Sequence, residues 1–165
     1  MHDSNAVNVV LWSVQGFLAL FFFLAGAPKV VGRGIDRWTG FSDVPRALTI
    51  TIGLAEILGA AGLVLPMAAG VLPWLTPLAS VGLGLIVLMA AGFHLRADER
   101  LQALETGLWA LTAGVVAIGR WEFVSSSVDV SPRWIVLALG LLVPAVIVNV
   151  VILLRRPVPA VVAPL

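Results

Sequence analysis

From Val7 to Ala27 the chain carries no charged residue, and comparable apolar runs recur at Ala47–Ala69, Leu72–Phe93, Leu104–Ile118 and Trp134–Leu154. The only charges inside these runs are Glu56, deep in the second, and Glu105, at the entrance of the fourth. A bilayer hydrocarbon core about 30 Å thick is crossed by roughly 20 apolar helical residues. Each run therefore reads as a membrane span. The alternative of a water-soluble enzyme fails on surface area. A domain of about 150 residues still exposes roughly 30% of its unfolded area, and a chain that is 60% hydrophobic and 12% charged cannot cover that area with polar groups. Disorder fails as well, because it requires low hydrophobicity and high charge.

The first run ends at Pro28-Lys29. Ala25-Gly26-Ala27 mimics a signal-peptidase site, but the preceding segment has Asp3 and no Lys or Arg, and the apolar stretch is too long, so it is expected to stay as a helix. The second and third runs are joined by a few residues around Gly70 and form a tight helical hairpin, with Pro73 and Pro77 in the opening turns of the third, where a missing N–H costs least. Pro144 interrupts the fifth run, which neighbouring helices tolerate. The expected fold is an all-α polytopic membrane helical bundle: a four-helix core in residues 1–122, then an outer loop, a fifth C-terminal transmembrane helix and a short disordered tail in 123–165. Val30–Val44 reads either as an amphipathic interfacial element centred on Trp38 or as a solvated loop. Trp121–Arg133 reads as irregular. Trp12, Trp74, Trp109, Trp121 and Trp134 fall near span ends and read as interfacial anchors.

Basic residues set the orientation. Lys29, Arg33, Arg37 and Arg46 precede the second span, Arg96 and Arg100 follow the third, and Arg155 and Arg156 follow the fifth, whereas only Arg120 and Arg133 fall on the opposite side. This predicts N-out, C-in. Nine of the ten basic residues are Arg, which with the wealth of Ala, Gly, Val and Leu suggests a GC-rich bacterial genome and a multi-pass protein of the bacterial plasma (inner) membrane. A net charge of +1 leaves no nucleic-acid footprint. The absence of cysteine excludes disulfides, thiolate metal sites and dithiol chemistry, and two histidines make a multi-histidine metal site an unpromising expectation. No metal is expected.

Glu56 carries the strongest chemical signal. It lies about nine residues, or roughly 14 Å, inside its span, where an ionisable group costs at least about 2.5–3.5 kcal/mol, so it must face protein or water. Gly53, Gly59 and Ala60 flank it on the helix, and Ala55 with Gly59 forms a small-xxx-small pair that lets another helix approach. Depth matching offers Gln15, Ser80 and Thr112 near mid-span, and Lys29, His94, Glu105 and Asn149 nearer one end; the Lys29 stem is long enough to reach inward. Two readings stand open. Glu56, Gln15 and Lys29 line a polar pocket that binds a head group or relays a proton, or they form a hydrogen-bonded knot that locks the helices. His94 is likewise either a proton-exchanging group near neutral pH or an interfacial cap. The charges after it, Arg96 to Arg100, read as a solvated turn. Gly82-Leu83-Gly84 reads as helix-packing surface, since no strand precedes it and no phosphate-loop Lys follows.

Ala25-Gly26-Ala27-Pro28-Lys29, the block from Gly53 to Pro66 with its internal Glu56, the run Leu78–Ala91 followed by His94-Leu95-Arg96, and Gly119-Arg120 together resemble the DoxX-like family of small integral membrane proteins. The resemblance spans roughly residues 8–121, and the Gly53–Pro66 block is its most specific part. It implies a four-helix membrane protein and marks Lys29 and Glu56 as the positions to watch. The family takes its name from a small subunit of a thiosulfate:quinone oxidoreductase, relatives are linked to redox-enzyme complexes, and more distant ones to chaperone or cargo roles. The fifth span departs from this pattern and would carry the C-terminus to the other side.

The resulting expectation is a small membrane subunit associated with quinone-linked redox chemistry, which would need a redox-enzyme partner or a bound quinone, since no cofactor motif in the chain transfers electrons. The alternative is a non-catalytic scaffold, chaperone or assembly factor, and a weaker one is a small-molecule or proton carrier. Beyond lipid, the expected partners are another membrane protein or a second copy of this chain in a homo-oligomer.

Overall fold

Apolar helices in lipid must satisfy every backbone group internally, and the chain does this with four long helices. A computed structural model describes residues 2–33 and 45–127. The long helices are α1 (His2–Val31), α2 (Arg46–Ala68), α3 (Leu75–Arg96) and α4 (Arg100–Gly119), with a short α5 (Glu122–Ser127) after one turn of irregular chain. Four helical segments, Asn5–Val31, Arg46–Ala68, Leu75–Arg96 and Arg100–Ser126, are long and apolar enough to cross a membrane. The expected fifth span Trp134–Leu154, the C-terminal tail and most of Val30–Val44 lie outside the described residues.

Each of the four long helices overlaps an expected run, but the ends differ for physical reasons. The first helix passes through Pro28 instead of stopping at it. A proline near the end of a helix removes a single backbone bond, and the chain continues one turn until Gly32, at φ +81°, closes it with an N–H bond to the Pro28 carbonyl of 2.8 Å. Arg46 then caps the same end from the start of α2, donating to the carbonyls of Lys29 (2.5 Å) and Val30 (2.7 Å). Pro66, inside α2, deprives the Gly62 carbonyl of its helical donor, and the Thr76 hydroxyl of α3 supplies one at 3.1 Å. The fourth helix starts at Arg100, earlier than the apolar run, because a turn needs only Ala97, Asp98 and Glu99, with Asp98 at φ +60°. Residues 122–127, expected to be irregular, form α5; Ser125 and Ser126 each donate a hydroxyl to the Glu122 carbonyl, at 3.0 and 2.7 Å.

The helices run up and down in sequence order, and α4 returns to α1 to close the bundle. Leu18 and Phe22 of α1, Ala60 and Leu63 of α2, Leu83 and Val87 of α3, and Ala113 and Val116 of α4 form the core. The outside is also apolar, with Leu58, Leu111 and Ile118 among the most exposed side chains. In lipid such a surface costs nothing, so packing relies on close contact between small residues and on internal polar bonds. Gly59 faces Leu83, Gly62 faces Ala79, and Gly84 lies opposite Ala113. Gly82 faces open space, so only one glycine of the Gly82-Leu83-Gly84 piece is a packing residue.

Candidate functional site

The backbones of α1 and α2 approach closely at Gly26 and Gly53. A Cβ on Gly26 would sit 2.6 Å from the Gly53 carbonyl oxygen, and one on Gly53 would sit 2.7 Å from the Gly26 carbonyl oxygen. Three residues beyond each glycine, about one turn, stand Lys29 and Glu56. The Lys29 ammonium donates to both Glu56 carboxylate oxygens at 2.6 Å, and both residues are only 4% exposed. Removing one partner of a buried ion pair strands the other charge and costs about 3–5 kcal/mol.

A second polar cluster joins α1 to α4 nearer the other end of the bundle. Asn8, Trp12 and Gln15 follow one another at four- and three-residue spacing and share a helical face. Gln15 donates its amide to the Leu63 carbonyl of α2 (2.7 Å) and accepts a bond from Arg120 Nε (2.8 Å). Arg120 Nη1 donates to Asn8 Oδ1 (2.7 Å), and the guanidinium carbon lies 5.7 Å from the centre of the Trp12 ring. Arg120 is 4% exposed, and its Nη2 is buried with no hydrogen-bond acceptor among the described residues. The approach depends on Gly119, where a Cβ would sit 2.6 Å from Leu11.

A third group occupies the middle of the α1–α4 seam. The Trp109 ring stacks on Phe21 at 4.2 Å between centroids and leans on Phe17 at 5.6 Å. Its Nε1–H is buried without an acceptor among the described residues. Trp109 is therefore a packing residue halfway along α4, not the interfacial anchor expected from the sequence.

The single group expected of Glu56, Gln15 and Lys29, whether as a pocket or as a knot, is two clusters. Lys29 and Glu56 meet, but Gln15 faces Leu63, seven residues further along α2 than Glu56. The cause is register: in an antiparallel pair, positions earlier on α1 lie level with positions later on α2. Thr112 joins neither cluster, since its hydroxyl bonds the Leu108 carbonyl of its own helix at 2.8 Å. His94 Nδ1 lies 2.7 Å from Glu99 Oε2 across the α3–α4 turn, while Asp98 and Arg100 form an exposed pair at 3.2 Å. Ser80 ties α3 to α4 by donating to the Ala113 carbonyl at 2.6 Å. Glu105 is exposed, and Asn149 lies outside the described residues. Arg120, Asn8 and Arg46 were not singled out from the sequence as site residues. The available signal was the Asn8-Trp12-Gln15 stripe, since the end of a fourth span and the start of a first lie at the same end of an up-and-down bundle.

A sequence model of the DoxX-like family matches residues 13–118. The chain belongs to the DoxX-like family. No curated protein and no solved structure matches it. Membership and four apolar helices together make this DoxX-like chain a small multi-pass membrane protein. The matched span takes in Gln15, Lys29, Glu56, His94, Trp109 and Thr112, and leaves Asn8 and Arg120 of the DoxX-like chain outside it.

Proposed function

We propose that this DoxX-like chain is a small subunit of the bacterial inner membrane, oriented N-out, that holds a quinone head group for a partner redox enzyme. The observation that carries this reading is the Trp109 Nε1–H. It is a buried donor without an acceptor, set beside two phenylalanine rings on the α1–α4 seam. A buried donor left unmatched costs about 1–3 kcal/mol, and a flat ring bearing a carbonyl oxygen fits both the donor and its aromatic surroundings. Phe17, on the same seam, is exposed toward the lipid from which such a molecule would enter. A bound quinone would supply two-electron, two-proton acceptor chemistry; the electrons come from the partner enzyme.

The test is extraction of quinone from protein purified gently from its own membrane, comparing wild type with Trp109→Phe, which keeps the ring and removes the N–H. Co-purifying quinone that falls in the variant supports the reading. Quinone absent from the wild type, or unchanged in the variant, ends it.

A second reading, a non-catalytic scaffold or assembly factor, is favoured by the Lys29–Glu56 pair. Both carboxylate oxygens are already engaged, as expected of a helix lock. A stable protein partner captured without any quinone would select it.

A further inference from the structure

We infer that the end of the bundle where α1 begins and α4 ends binds one phosphate-type oxyanion on Arg120. This rests on different residues from the quinone reading and stands or falls separately. The two buried cations among the described residues are treated differently. Lys29 has a carboxylate on it at 2.6 Å. Arg120 is just as buried, yet its hydrogen-bond acceptors are two neutral amide oxygens, Gln15 Oε1 and Asn8 Oδ1. These two bonds and the Trp12 face fix the guanidinium plane and leave Nη2 unused. A guanidinium held flat with one edge unmatched is suited to an oxyanion, to which charge-assisted bonds are strongest. Among the described residues no carboxylate hydrogen-bonds it; Glu122, two residues along the chain, is exposed, and the flanking Trp121 is exposed as well. The same oxyanion could come from a phospholipid head group or from free phosphate.

Native mass spectrometry of the detergent-extracted full chain tests this, with phosphatidylglycerol, diacylglycerol and inorganic phosphate titrated in turn. One phosphatidylglycerol per chain, held about tenfold more weakly after Arg120→Lys, is the expected result for a lipid source. Arg120-dependent retention of inorganic phosphate without phospholipid supports the same site with a free ion as its ligand. Equal retention by wild type and Arg120→Lys, or equal retention of diacylglycerol, overturns the proposal. Should Arg120→Lys fail to fold, Asn8→Ala carries the test: it frees Nη1 beside Nη2 and is expected to tighten binding, and unchanged or weaker retention overturns the proposal.

Discussion

The Lys29 ammonium sits 2.6 Å from both carboxylate oxygens of Glu56, directly beside the point where Gly26 and Gly53 bring α1 and α2 together, with Glu56 level with Gly26 and Lys29 level with Gly53. The glycine contact and the ion pair are therefore one device. The glycines set the distance, and the pair fixes the register.

Glu56→Leu and Lys29→Met are each expected to destabilise the bundle by about 3–5 kcal/mol, because each strands a buried charge. The double variant Lys29→Met with Glu56→Leu is expected to be more stable than either single one. Thermal unfolding in detergent, followed by helical circular dichroism, checks this. Additive losses in the double variant would show that the two groups act independently.

Gly53→Ala is expected to separate α1 from α2, since its Cβ would lie 2.7 Å from the Gly26 carbonyl and 2.8 Å from Lys29 Cβ. Overpacking of this kind costs about 1–3 kcal/mol. Gly16→Ala, with nothing within 4 Å, is expected to be neutral or stabilising by up to about 1 kcal/mol. The same unfolding measurement compares them, and equal melting temperatures would remove the close-approach argument.

Thr76→Val should cost about 1–2 kcal/mol while Pro66 is present, because the Gly62 carbonyl then loses its substitute donor. In a Pro66→Ala background the helix supplies that donor itself, and the loss should shrink to a few tenths of a kcal/mol. A double-mutant cycle with no coupling would mean that the hydroxyl and the proline are unrelated.

Orientation is testable without removing any native residue, because the chain has no cysteine. Ala69→Cys, after α2, and Ala97→Cys, after α3, are both exposed positions. With the N-terminus outside, a membrane-impermeant maleimide added to intact cells should label Ala69→Cys and spare Ala97→Cys. The opposite pattern would invert the topology.

Glu56 shows how far a linear reading reaches. That it faces protein followed from the cost of an ionisable group in lipid, and the structure puts it in the α1–α2 contact. Its partner depends on helix register, so depth matching alone leaves Gln15, Ser80 and Thr112 near mid-span and Lys29 nearer one end as candidates. Arg120 looked like one more positive charge at a span end, because nothing local to it reveals that Asn8 and Gln15, more than a hundred residues earlier, come to meet it. Trp109 was misplaced because tryptophan serves interfaces and packed seams alike.

The sequence by itself determined the four described spans, their hairpin order and the inward face of Glu56. These follow from the length of uncharged runs and from the local cost of putting charge or bare backbone in hydrocarbon, which each segment meets on its own. Only the tertiary structure decided that Lys29 neutralises Glu56, that Gln15 serves Arg120 instead, and that Arg120 and Trp109 keep a donor unmatched. Those outcomes rest on how closely glycines let particular helices approach, and on the register in which antiparallel helices then meet. Both are properties of pairs of segments, not of any one of them.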